Sequence, residues 1–178
     1  VGEIFNFNDS RGKVFEIVIQ LAAILAVCWE YRHKLATTMQ TLVTSPAKVK
    51  SPAHQLTLNV LIAFLPAAIL GLAFHDVIKA YLFSTLTVAI ALIVGGVAIL
   101  LVEQYTQQPQ PQLLAKTKPL TQSLEHINRK QALKVGLAQS LALIPGVSRS
   151  GATILGGMLF GLNRQTATEF SFFLAIPI

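Results

Sequence analysis

One stretch of this sequence concentrates the residue types that can do chemistry: Pro145-Gly146-Val147-Ser148-Arg149-Ser150-Gly151-Ala152-Thr153. An arginine among apolar segments costs about 3 kcal/mol to place in a bilayer, so it calls for an anionic partner or a hydrated cavity. Its guanidinium fork matches phosphate oxygens two at a time. Ser148, Ser150 and Thr153 supply hydroxyls, and Gly146 and Gly151 allow close backbone approach. A helix starting near Ala152 would aim its unpaired N–H groups and positive dipole end at the same place. The stretch therefore reads as a phosphate cradle. The other reading is a turn in which Arg149 snorkels to a headgroup and the serines cap a helix.

Two carboxylates are weaker candidates. Glu16 and Gln20 sit four apart on one helical face, and Glu169 lies near the start of the final apolar run. A carboxylate within a membrane span is a functional candidate, whereas one at the end of a span is simply hydrated. His75-Asp76 reads as a solvated loop, and His33, His54 and His126 show no ligand spacing. The single cysteine, Cys28, sits in an apolar run and has no partner for an intrachain disulfide. No metal ligand set is apparent in the pattern.

The elements that must position these groups read as lipid-embedded. Of 178 residues, 53% are hydrophobic and 12% charged, about half the charged share of a soluble domain. Mean hydropathy is +0.59. Apolar runs at about 14–30, 56–74 and 82–102 approach spanning length. Trp29 and Tyr31 resemble an interfacial belt. Gly95-Gly96 and Gly156-Gly157 read as marks of close helix packing. The net charge of +6 comes from basic residues between apolar runs, where they set topology. That excludes a basic nucleic-acid-binding face. Arg32, Lys34, Lys48 and Lys50 gather after the first run, and Lys116, Lys118, Arg129, Lys130 and Lys134 after the third. Both groups are expected on the cytoplasmic side, with Val1 outside.

Residues 103–130 read as a linker, most plainly at Gln107-Gln108-Pro109-Gln110-Pro111-Gln112. Residues 131–162 form two short apolar pieces around a Pro/Gly break, the pattern of a re-entrant hairpin. Residues 167–178 read as a truncated further span. The chain begins without Met and stops inside an apolar segment, so we expect it to be part of a longer protein. The fold class expected is an all-α integral membrane protein, a polytopic helix bundle in one membrane domain.

The run 145–153 resembles the PGxSRSxxT signature of the undecaprenyl-diphosphate phosphatases, the bacitracin-resistance protein family. Gln139-Ser140-Leu141-Ala142-Leu143-Ile144, the run from Glu169 through Phe170-Ser171-Phe172-Phe173-Leu174 to Pro177, and Phe15-Glu16-Ile17-Val18-Ile19-Gln20-Leu21 are similar to it too. The resemblance implies hydrolysis of a C55 polyprenyl diphosphate in the bacterial inner membrane, which recycles the carrier lipid of peptidoglycan synthesis and confers bacitracin resistance. It implies that Arg149 clamps the diphosphate, with Ser148, Ser150 and Thr153 orienting or donating to its oxygens. Together with the cradle glycines and the two carboxylates, the expected site is Arg149 and Ser148 as catalytic residues and Gly146, Ser150, Gly151, Thr153, Glu16 and Glu169 as substrate-binding ones. The resemblance also implies a divalent cation, magnesium or calcium, and an inverted repeat. A faint internal echo fits that repeat: Leu21-Ala22 follows Glu16 as Leu174-Ala175 follows Glu169. The partners expected are the polyprenyl diphosphate and membrane lipid, with no nucleic acid; homo-oligomerisation is left open.

The family's glutamate-rich ExxxE run and PVSSTGH segment do not occur here, so this chain alone is expected to be inactive. A second phosphatase family with a Ser-Arg pair has histidine where Leu155 stands, which argues against it. The alternative class is a transporter or lipid flippase that binds an anionic headgroup without cleaving it.

Overall fold

The computed structural model describes residues 10–44, 51–107 and 120–177. Every named element among them is helical. Two compact units are present, Val1–Ala47 and Lys48–Ile178. The linker core 108–112 and the basic residues Lys48, Lys50, Lys116 and Lys118 lie outside the described residues.

The first unit holds α1 (Ser10–Glu30) and α2 (Arg32–Thr44). Tyr31 separates them, and the Arg32 guanidinium lies 4.8 Å from the centre of the Trp29 ring while donating to the Trp29 carbonyl at 2.8 Å. Trp29 itself is exposed.

The second unit is built on α3 (Pro52–Ala73), α4 (His75–Leu82), α5 (Thr85–Gln107), α6 (Arg129–Ser140), α7 (Arg149–Leu159) and α8 (Arg164–Ala175). α3 and α5 are the two described helices long and apolar enough to cross a membrane; residues Val18–Glu30 of α1 form a shorter apolar helix. Ser51 caps α3 with Pro52 behind it, where a missing N–H costs nothing. His75-Asp76, read from sequence as loop, opens α4 instead. Asp76 in its first turn and Lys79 in its last complement the helix dipole.

α6 is set by a capping box: Asn128 Oδ1 accepts from Gln131 N at 2.8 Å, and Gln131 Oε1 accepts from Asn128 N at 3.1 Å. α6 lies along α3 in the same direction. Asn59 Nδ2 donates to the Ile127 carbonyl at 2.7 Å, Gly136 meets Ala63, and Gly71 meets Leu143. α7 returns antiparallel to α6, with Gly156 against Ala138 and Gln131 Nε2 donating to the Phe160 carbonyl at 3.2 Å. α8 is antiparallel to α7, with Gly157 against Ala167.

The later part of the expected linker is structured. Leu124 and Ile127 are fully buried, and Thr121 exchanges backbone hydrogen bonds with Gly161 and Asn163 at 2.9 and 3.0 Å. Two apolar side chains three apart in a polar stretch anchor it to the core.

Candidate phosphate site at the α6–α7 break

α6 ends in a 3-10 turn, Leu141–Leu143, and the chain then reverses through Ile144, Pro145, Gly146 and Val147. Gly146 makes the reversal possible. Its φ of +96° disfavours any side chain, and a Cβ there would lie 2.7 Å from the Val88 carbonyl oxygen of α5. The break is thus pressed against α5 near that helix's start. Gly71, late in α3, reaches Leu143 just before the break.

Ser148 is the N-cap of α7: its Oγ accepts from Gly151 N at 3.1 Å and lies 3.3 Å from Ser150 Oγ. A Cβ at Gly151 would crowd that cap, 3.2 Å from Ser148 Cβ. Ser148, Arg149 and Ser150 are all exposed. In the first turn of α7 the Arg149 and Ser150 N–H groups have no partner within the helix. Arg149 pairs with no carboxylate among the described residues. By contrast, Arg164 binds Glu103 at 2.6 Å. The exposed α7 terminus therefore carries a guanidinium, two hydroxyls and backbone donors unpaired within the helix. Groups of this kind suit an anion with several oxygens.

The description "Bacitracin resistance protein BacA" matches residues 1–178. The chain belongs to the BacA family. As a BacA-family chain it is an all-α membrane protein. It is 60% identical over 179 residues to an undecaprenyl-diphosphatase of Methylobacillus flagellatus, covering all of this chain and 62% of that relative. It is 55% identical over 178 residues to an undecaprenyl-diphosphatase of Nitrosospira multiformis, covering 100% and 60% of the two. An undecaprenyl-diphosphatase 1 of Paraburkholderia xenovorans is 52% identical over 177 residues, covering 99% and 60%. The chain spans about 60% of the length of these curated relatives.

The BacA-family chain does not bring all the candidate residues together. Gly146, Ser148, Arg149, Ser150 and Gly151 gather at the break. Thr153, expected to offer its hydroxyl to a phosphate, turns inward instead and is 1% exposed. Its Oγ1 lies 3.0 Å from the Arg149 carbonyl, 3.1 Å from the Ser150 carbonyl and 2.5 Å from Ser171 Oγ. Its position four residues after Arg149 and three after Ser150 in the helix puts the hydroxyl over those carbonyls.

Glu169 is on α8, where Gln165 Nε2 donates to its Oε1 at 3.4 Å. The pairings Gly157 with Ala167 and Thr153 with Ser171 put Glu169 level with residue 155. That is six residues, or roughly 9 Å, along the axis from Arg149. Glu16 is on α1 in the first unit, and its side chain lies outside the described residues.

Among the described residues no three His, Cys, Asp or Glu side chains cluster to hold a metal. The groups at the break are a cation and neutral donors, which suit an anion and do not fit a divalent cation. Sequence reasoning passed over Ser171. Its signal is the buried hydroxyl at helical spacing inside the matching run from Glu169 to Pro177, but a serine in an apolar span reads equally well as packing.

Proposed function

We infer that the complete protein hydrolyses undecaprenyl diphosphate to undecaprenyl phosphate and inorganic phosphate, as a multi-pass protein of the bacterial inner membrane. The carrier lipid so recycled serves peptidoglycan synthesis, and its turnover confers bacitracin resistance. The observation that carries this reading is Arg149, unpaired among the described residues, at the exposed N-terminus of α7 and flanked by Ser148 and Ser150. The names of the relatives supply the substrate.

In this reading the guanidinium grips the terminal phosphate while the two hydroxyls and the free N–H groups of Arg149 and Ser150 bind its remaining oxygens. These donors are fixed before the reaction and aimed where charge accumulates during in-line attack on phosphorus. The chain's own residues bind, orient and stabilise; no step is assigned to a metal.

The depth of the break fits a substrate met on the outer side. Arg129, Lys130 and Arg164 lie at one end of the α6–α7 hairpin, together with Glu103 late in α5. Basic excess marks that end as cytoplasmic. The break lies at the other end, with Val88 early in α5. Twelve residues of α6 and a 3-10 turn of three span roughly 24 Å, past the midplane of a ~30 Å hydrocarbon core. The hairpin is thus re-entrant from the cytoplasmic side, its cradle opening outward.

The test is phosphate release from a long-chain polyprenyl diphosphate by the complete protein purified in detergent. Release supports the phosphatase. No release, with the lipid nevertheless crossing between leaflets of reconstituted vesicles, would establish the transporter instead.

A further inference from the structure

Thr153 Oγ1 lies within hydrogen-bond distance of three groups: the carbonyls of Arg149 and Ser150, at 3.0 and 3.1 Å, which can only accept, and Ser171 Oγ on α8, at 2.5 Å, where either hydroxyl can be the donor. The two hydroxyls thus form a relay that links Ser171, through Thr153, to the backbone of Arg149 and Ser150. Thr153 is 1% and Ser171 6% exposed. In such a dry setting each bond polarises the next, and a lost member leaves an unpaired buried group.

We propose that Ser171 is a positioning residue for phosphate recognition: from α8 it fastens the first turn of α7, the turn that carries Arg149, Ser150 and the free N–H groups. The proposal rests on the phosphatase reading above. The relay ends on the carbonyl of the residue whose guanidinium meets the ligand. Phosphoryl transfer depends mostly on positioning and preorganised charge, so a small displacement of that turn lowers turnover. Ser171 touches neither substrate nor reacting atoms. Its neighbour Glu169 is half-buried, whereas Ala167 and Ser171, the α8 residues that meet Gly157 and Thr153 of α7, are buried.

The experiment uses the complete protein and phosphate release from a polyprenyl diphosphate. It compares wild type with Arg149→Ala, Ser171→Ala, Ser171→Thr, Thr153→Val and the Ser171→Ala/Thr153→Val double variant. The melting midpoint in detergent confirms folding for each. Should Ser171→Ala fail to fold, the near-isosteric Ser171→Cys replaces it with the same expectation. We expect Ser171→Ala to lower kcat about tenfold with KM within about twofold. Ser171→Thr should recover the rate, because it restores the hydroxyl. The double variant should be no slower than Thr153→Val, because both changes break one relay. Wild-type kcat in folded Ser171→Ala, or a double variant whose losses multiply, would overturn the relay. With Arg149→Ala inactive, either result leaves the phosphate reading standing. No release by the wild type would overturn both.

Discussion

The same dipeptide occurs twice with opposite surroundings. At Gly156-Gly157 in α7, added Cβ atoms would lie 2.5 Å from Ala138 Cβ and 2.9 Å from Ala167 Cβ. At Gly95-Gly96 in α5, an added Cβ meets nothing within 4 Å among the described residues. Both pairs read from sequence as seams of close packing, and only the first is one here. In α7 the glycines let α6 and α8 close in from two sides, which brings Ser171 within reach of Thr153. In α5 the surrounding face is apolar and exposed, as Leu92, Ile93, Val94 and Val97 show. Small residues permit close approach, but whether a partner arrives is decided by the rest of the chain.

Substitutions sharpen this contrast. The largest effect on stability is expected from Gly156→Ala. Ala138 has no flexible side chain to move aside, so α6 and α7 must separate, at a cost of about 3 kcal/mol, read as a lowered unfolding midpoint in detergent. Gly146→Ala comes next. The left-handed conformation alone costs about 1–2 kcal/mol, and the overlap with Val88 adds to it, so the midpoint should fall and the break should shift from α5. The smallest effect is expected at Gly96→Ala, where higher helix propensity stabilises by up to about 1 kcal/mol. A destabilisation there in the complete protein would break the comparison, because it would reveal a neighbour packed on that face of α5.

Much of this architecture was legible. Sustained apolar runs revealed α3 and α5, and the Pro145-Gly146 punctuation between short apolar pieces located the turn between α6 and α7. Arg149 stood out because a charge among apolar helices is expensive. What escaped depended on tertiary context. The 120–128 segment looked like linker because Leu124 and Ile127 are isolated apolar residues, and their burial comes from the start of α3 and the Thr121 contact with Gly161 and Asn163. Asp76 and Lys79 were too few to announce α4. Thr153 looked like one more donor beside Ser148 and Ser150, since nothing in a string of letters says which hydroxyl of a helical turn faces inward. Ser171, some eighteen residues away, became visible only once α8 was laid against α7.

The claim at the centre of this account is that the N-terminus of α7 binds the phosphate that is cleaved. The most direct test is the initial rate of phosphate release by the folded, complete Arg149→Ala protein beside the wild type. Loss of the guanidinium should reduce turnover about a hundredfold or more, the scale for removing one preorganised donor from a developing charge. An Arg149→Ala protein that releases phosphate at the wild-type rate would contradict the claim and leave Arg149 as a residue that snorkels to lipid headgroups.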